Sequence, residues 1–179
     1  MRSLLLILLL ASSSSLFSQH FDLRFGVGRS FMGNGDMRTL VLENELNYFV
    51  NDLFSASASV AYGRSDKGVW LSASFIQGNA NVFISPFKNT HQHDLRVGGG
   101  LSVYRVSDTR ITSTRLDINT GELLEEYAFE IRESAGFNLV AEYTFSFSHR
   151  FLVGLKAFGQ VYENGDSNEG LMVKTGLRL

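Results

Sequence analysis

The stretch FNLVAEYTFSF, residues 137–147, sets Phe137, Leu139, Ala141, Tyr143, Phe145 and Phe147 on one side of an extended chain, with Asn138, Val140, Glu142, Thr144 and Ser146 on the other. Strict period-two alternation of this length is the pattern of a strand with one apolar and one polar face. It recurs along most of the chain and restricts the fold more than any other feature. With one proline, 17 glycines and no amphipathic helical pattern, the sequence reads as all-β. Eight strands are predicted, at residues 20–31, 38–50, 54–64, 69–84, 93–107, 130–146, 150–162 and 170–179.

Each predicted strand carries an apolar row. The first has Phe21, Leu23, Phe25, Val27 and Phe31, and the second Leu40, Leu42, Leu46, Tyr48 and Val50. The third has Phe54, Ala56, Ala58, Val60 and Tyr62; the seventh has Phe151, Val153, Leu155, Ala157 and Val161. In the fourth, the row changes phase between Val69, Leu71, Ala73, Phe75 and Ala80, Val82, Ile84, so a β-bulge is predicted near Gly78.

Ahead of the strands, Met1, Arg2 and Ser3 form a basic start, LLLILLLA an apolar core and SSSSLFS a small polar run. This is the pattern of a secretory signal peptide, placed at residues 1–18, which leaves 19–179 as one domain. The apolar run is too short to cross a bilayer as a helix. The chain has no cysteine, so neither disulfides nor a lipid anchor are available to it. A formal charge of −2 with scattered basic residues removes the electrostatic reason to expect a nucleic-acid partner.

The connections fall into two sets. ND (51–52), SPFKNTHQ (85–92) and SFSH (146–149) alternate with MGNGDM (32–37), RSDKG (64–68), a stretch of about 25 residues from Val106 to Glu130, and ENGDSNEG (163–170). An eight-stranded antiparallel up-and-down meander gathers each set at its own end. Short turns at one end and longer loops at the other is the asymmetry of transmembrane barrels, whose short turns and both termini face the periplasm.

Whether the apolar rows meet a protein core or lipid depends on the other face. Asp22, Arg24, Glu43, Glu45, Arg96, Glu142, Lys156, Lys174 and Arg178 lie within strands on the polar rows. A soluble lipocalin-like ligand-binding barrel would turn them to water and fill its interior with the apolar rows. A type I′ turn at Asn34-Gly35 pairs Gly33 with Asp36, and counting outward sets Arg24 against Glu45 and Asp22 against Asn47. Opposite charges then meet in one row, as a narrow lumen requires. Exceptions in the apolar rows point the same way. Arg29, Arg38, Arg64 and Arg105 cluster at the long-loop end, where they would contact phosphates of outer-membrane lipid or lipopolysaccharide. Phe21, Tyr48, Phe54, Tyr143, Phe145, Phe147 and Phe151 collect at the other end as an aromatic girdle.

The last strand, GLMVKTGLRL, alternates Leu171, Val173, Leu177 and Leu179 up to residue 179. Here the chain resembles the small eight-stranded outer-membrane β-barrel family, in which the closing strand is the final one and ends in an apolar, usually aromatic, residue. Leu179 stands where that family usually has Phe. The resemblance implies an all-β, eight-stranded antiparallel transmembrane barrel in the outer membrane, a monomer handled by the barrel-assembly machinery through its C-terminal strand.

Candidate chemistry is sparse. His91 and His93 share a side of an extended chain, but no Cys or carboxylate cluster completes a metal site. SFSH offers Ser146, Ser148 and His149, yet all four histidines, His20 included, fall at the short-turn end, away from an outer-leaflet substrate. GGG (98–100) reads as strand glycine that permits close packing. The lumen charges Arg24, Glu43, Glu45, Arg96, Glu142, Lys156 and Lys174 read as a structural plug, with a proton or small-ion path as the alternative. No enzyme activity and no cofactor are expected. The expected role is envelope-structural or surface interaction through the loops, with transport of small apolar solutes as the alternative.

One loop invites a finer reading. A hairpin turning at NTG (119–121) would extend strands five and six beyond the membrane, with Gly121 left-handed and Ile118 opposite Glu122. That register sets Leu116 against Leu124, Arg115 against Glu125, Arg110 against Glu130 and Asp108 against Arg132. Continued inward, it sets Val103 against Phe137, Leu101 against Leu139 and Val97 against Tyr143, with Glu142 diagonal to Arg96.

Overall fold

The computed structural model describes residues 21–33, 37–66, 72–86, 92–116, 121 and 123–179. The region expected to be a leader, His20, His91 and the Asn34-Gly35 turn lie outside them. Eight strands follow in order: β1 (Phe21–Gly33), β2 (Met37–Phe49), β3 (Phe54–Asp66), β4 (Ser72–Ile84), β5 (His93–Leu116), β6 (Leu123–Ser146), β7 (Phe151–Tyr162) and β8 (Ser167–Arg178). Each pairs antiparallel with the next, and β1 pairs with β8, from Asp22 opposite Arg178 to Gly33 opposite Ser167. The sheet is a closed barrel with no free edge around its girth.

Alternation sorts the chain inside out. Outward positions carry Leu23, Val27, Leu42, Leu101, Leu139 and Val173, all exposed, while Arg24, Glu45, Arg96, Glu142 and Lys174 inside are buried. A polar lumen within an apolar outer band is the arrangement of a transmembrane β-barrel, and it excludes the lipocalin-like alternative, whose interior would be apolar. Strands of 12 or 13 residues suffice to cross the hydrocarbon layer at a tilt.

The β1–β2 register is the one that the Asn34-Gly35 turn demands: Arg24 opposite Glu45, Asp22 opposite Asn47, Phe31 opposite Arg38 and Phe21 opposite Tyr48. Two expectations fail. No bulge occurs at Gly78, since β4 pairs without a shift with both neighbours. Instead Ala73 and Phe75 point into the lumen. Phe75 fits there because the opposite residue is Gly63, where a Cβ would lie 2.1 Å from the Phe75 ring.

The second failure is in β5 and β6, which do form a projecting hairpin of 24 residues a side, with Gly121 at φ +71°. The register is displaced: Leu116 faces Leu123, Arg115 faces Leu124, Arg110 faces Ala128 and Asp108 faces Glu130. Further in, Val103 faces Ala135, Leu101 faces Phe137, Val97 faces Ala141, and Arg96 is directly opposite Glu142. An irregularity between Ile111 and Ser113 moves the register by one, and outside it Leu116 opposite Leu123 is already one residue off the predicted pairing. The Ile118–Glu122 pair lies outside the described residues. Beyond their last pairs with β4 and β7, at Asp108 and Gly136, β5 and β6 run on to Leu116 and back from Leu123, roughly 27 and 44 Å of strand. The difference between the two ends therefore lies in this projection; the connections themselves are of similar length, 163–166 between β7 and β8 against 147–150 between β6 and β7.

Candidate functional site: a packed lumen under a projecting hairpin

The lumen is filled in layers. Nearest the short-turn end are four carboxylates, Asp22, Glu43, Glu45 and Glu142, and four cations, Arg24, Arg96, Lys156 and Lys174, all buried. Glu45 is the hub: it accepts from Arg96 (3.0 Å), Lys156 (3.2 Å), Lys174 (2.6 Å) and the Asn47 amide (2.8 Å). Arg24 bonds to Glu142 and to Asp22 (2.9 Å), and Arg96 also reaches Glu142 at 3.0 Å. Backbone opposition does not decide these contacts. Arg24 is opposite Glu45 on the backbone but spends its guanidinium elsewhere, and Lys156, opposite Glu142, donates to Glu43 at 2.8 Å. Arg96 keeps Glu142, its sheet neighbour, while Arg24 and Lys156 reach across the barrel.

Aromatic packing supports this layer. The Arg96 guanidinium lies over the Phe83 ring, 4.1 Å from its centroid. Phe83 is accommodated because Gly98 has no side chain: a Cβ there would sit 2.6 Å from the ring. The glycine run 98–100 therefore serves close approach.

Above the charges comes an amide layer. Gln77 donates to Asn79 (2.7 Å), Gln160 to Asn79 (3.0 Å), and Asn168 to Gln77 (3.1 Å) and Gln160 (3.0 Å). Beyond it an apolar cluster, including Met32, Phe75, Tyr104, Val106 and Tyr162, fills the barrel. The void lined by Glu43, Gln77, Asn79, Lys156 and Gln160 measures about 10 Å³, the space of a single water.

The long-loop end is clasped. Asp166, in the β7–β8 connection, accepts from Tyr104 and from Arg132 at 3.1 Å, and Arg132 also donates to Asp108 at 3.0 Å. Asn164 adds a bond to Tyr104 at 2.7 Å. Burial opposes the Arg132 charge, but the Asp166 and Asp108 carboxylates outweigh it and raise its pKa. Arg132 contributes fully below the ordinary arginine value and is lost only as pH rises through the raised one, so this side of the clasp does not titrate near neutrality. Of the six charges assigned to the hairpin, Asp108 and Arg132 thus meet despite the changed register, whereas Arg110 and Glu130, and Arg115 and Glu125, are not opposed. Asp166, Tyr104 and Asn164 were not anticipated; Tyr104 is about 60 residues from the other two in sequence, and no local pattern announces them.

The rim arginines divide. Arg29 and Arg64 flank Leu40 on neighbouring strands, and Arg38 lies over Phe31 with its guanidinium 5.8 Å from the ring centroid, so three of them share one outer face. Arg105, further round, pairs with Glu133 at 3.4 Å. At the opposite end, Phe21 packs on Tyr48 and Phe147 stacks on Phe151. His93 shares a 2.6 Å hydrogen bond with the Tyr143 hydroxyl, and Ser148 Oγ accepts from the Arg150 and Phe151 amides, so His93 belongs to a strand start and SFSH to a strand end and turn. Among the described residues no group of His, Cys, Asp and Glu is placed to hold a metal.

This closed, charge-filled barrel with an apolar outside has known counterparts. Neisserial surface protein A superposes with a TM-score of 0.68 at 11% identity, covering 89% of this chain and 97% of that one. The chain has the fold of the small outer-membrane β-barrels. Ail, the attachment invasion locus protein of Yersinia pestis, gives a TM-score of 0.61 at 12% identity, covering 90% of this chain and 99% of that one. The N-terminal β-barrel domain of Pseudomonas aeruginosa OprF gives 0.56 at 14%, covering 89% and 98%. No family model matches the sequence, and no curated protein sequence matches it. At such identities the likeness is one of fold.

Proposed function

We propose that the protein is a non-enzymatic, monomeric barrel of the outer membrane, exported by the leader at residues 1–18, that contributes to envelope structure and presents the β5–β6 hairpin for surface interaction. The carrying observation is the contrast between a lumen filled by charge, amide and apolar layers and a hairpin whose strands run roughly 27 and 44 Å past their last pairs with β4 and β7. A pathway for solutes needs a void, and about 10 Å³ admits one water. Of the two roles weighed for this chain, surface interaction is therefore favoured over transport. Ail, solved in complex with the heparin analogue sucrose octasulfate, is a barrel of this fold with a polyanion bound.

Both termini are periplasmic in this reading, and β8, which closes the barrel on β1, is the strand offered to the assembly machinery. Arg29, Arg38 and Arg64 hold lipopolysaccharide phosphates on one outer face. The test has two arms. Purified protein in planar bilayers shows no steady conductance, and replacing residues 107–130 by a short turn abolishes adherence of expressing cells to matrix or host surfaces while the barrel still migrates as a folded band before boiling. Conductance in the intact protein, or adherence unchanged by the truncation, overturns the reading.

A further inference from the structure

Above the rim, β6 loses its neighbour β7. The last pair between them is Gly136 with Tyr162, and one further bond, from the Glu163 amide to the Ala135 carbonyl at 3.0 Å, ends that ladder. From Glu133 out to Leu123, β6 pairs with β5 alone among the described residues. Backbone groups of successive strand residues point to opposite sides. The Ala135 carbonyl points to the β7 side, so Glu133, Ile131 and Phe129, which share its parity, aim N–H and C=O at an edge that no described strand covers.

Residues 123–133 contain no proline and no lysine, and the irregularity in the hairpin places its extra residue on β5, so β6 runs on without a bulge. An edge of that length is a template for another strand. Its outer face is apolar at Ile131 and Phe129, 52% and 70% exposed. Its reverse carries Glu126, which accepts from the neutral Ser113 hydroxyl at 2.8 Å. From Arg105 to Ser134 the chain has seven acidic residues and four arginines, and Arg132 is shared with Asp166. Pairing every arginine within the hairpin, Arg105 with Glu133 included, still leaves three carboxylates.

That surplus selects the partner. It repels a polyanion, and a second copy brought edge to edge sets the same surplus of carboxylates against itself. We infer that the β6 edge takes up an extended segment of a basic polypeptide as an added strand, in which lysine or arginine alternates with apolar residues. In an antiparallel pair, the more stable arrangement, residues that exchange bonds with Phe129 and Ile131 turn their side chains to the same outer face, so these are the apolar ones. The cations then lie on the face of Glu126 and Glu130. Such a partner belongs to the surface-interaction role proposed for the hairpin and depends on it.

A peptide of about nine residues alternating lysine and valine, within the usual length of a strand, is titrated into the full chain in nonionic detergent, with amide hydrogen exchange read by NMR. At about ten times its Kd it slows exchange at the Phe129 and Ile131 amides about tenfold. Ala128 and Glu130, whose amides point to β5, change little. Methylating the valine amides of the peptide abolishes binding, and methylating its lysine amides, which point away from β6, spares it. A glutamate–valine peptide and heparin do not bind. Phe129→Pro removes an edge N–H that β5 does not use, so it abolishes binding while Ala128 and Glu130 stay protected, and Phe129→Ala still binds. Glu126→Lys/Glu130→Lys turns the preference to the glutamate–valine peptide and serves where Phe129→Pro does not fold. Equal affinity for the glutamate–valine peptide, binding of heparin, binding that leaves the Phe129 and Ile131 amides unslowed, retention by a folded Phe129→Pro, or self-association that slows those amides without peptide overturns the inference. Adherence lost on replacing residues 107–130 but kept by Phe129→Pro leaves the surface role standing and removes this partner.

Discussion

Removing one charge from the lumen costs far more than removing a balanced pair. Glu45 is 1% exposed and holds Lys156, Lys174 and Arg96 at 3.2, 2.6 and 3.0 Å. Glu45→Gln keeps the shape and an acceptor oxygen, but turns an amide donor towards two ammonium groups and leaves three carboxylates against four buried cations. Breaking a buried ion pair in this way costs about 3–5 kcal/mol, and Lys174→Met, with the opposite imbalance, costs a similar amount. The double variant Glu45→Gln/Lys174→Met restores three against three, and Lys156 keeps Glu43 at 2.8 Å. It should lie within about 2 kcal/mol of wild type, because a neutral pair replaced by groups of similar volume loses little. In urea titrations of barrel reconstituted in lipid, each single change lowers the midpoint by about 2 M for a slope near 2 kcal/mol/M, and the double change recovers most of it. Additive losses within about 0.5 kcal/mol would show that charge balance does not govern this layer.

Cysteines at Ser113 and Glu126, whose side chains already meet at 2.8 Å, should crosslink under mild oxidation faster than cysteines at 113 and 127; the reverse order would return the hairpin to the register read from its turn. Gly63→Ala should lower stability by about 1–3 kcal/mol through the Phe75 ring, and Phe75→Leu in the same chain should recover it, measured by the same urea midpoint. Arg132→Met should speed hydrogen exchange at residues 163–166 and at the base of the hairpin while leaving the urea midpoint of the barrel unchanged, since the clasp lies outside the lumen charges; unaltered exchange would mean that Asp166 is held by Tyr104 and Asn164 alone.

The sequence is most legible where one local interaction decides the geometry. Asn34-Gly35 permits essentially one tight turn, and from it the whole β1–β2 register follows, down to Phe21 opposite Tyr48. Alternation likewise places Arg24, Glu43, Glu45, Arg96, Glu142, Lys156 and Lys174 inside, since parity needs no knowledge of neighbours. Legibility ends where the deciding partner is distant. Phe75 turns inward because Gly63, on another strand, makes room for it, and nothing adjacent to Phe75 reports that vacancy. The β5–β6 register matched three charge pairs on paper, yet an exposed pair contributes only about 0.2–1 kcal/mol, too little to hold the register against one set elsewhere along the strands. Partner choice in the lumen is harder still. Arg24 leaves Glu45, its backbone neighbour, for Glu142 across the barrel.

That redistribution explains why the lumen reads as structure rather than as a conduit. A path for protons or ions needs charges that can change partners along an open line, whereas here each carboxylate of the layer is already engaged and amides and aromatics close the line above it. Where the void between the charge and amide layers measures about 10 Å³, moving an ion inward would mean stripping its hydration in exchange for groups that are already paired. The open surface of the molecule is on its outside, in the projecting length of β5 and β6. A packed interior directs the interactions proposed for this chain to the membrane surface and above it.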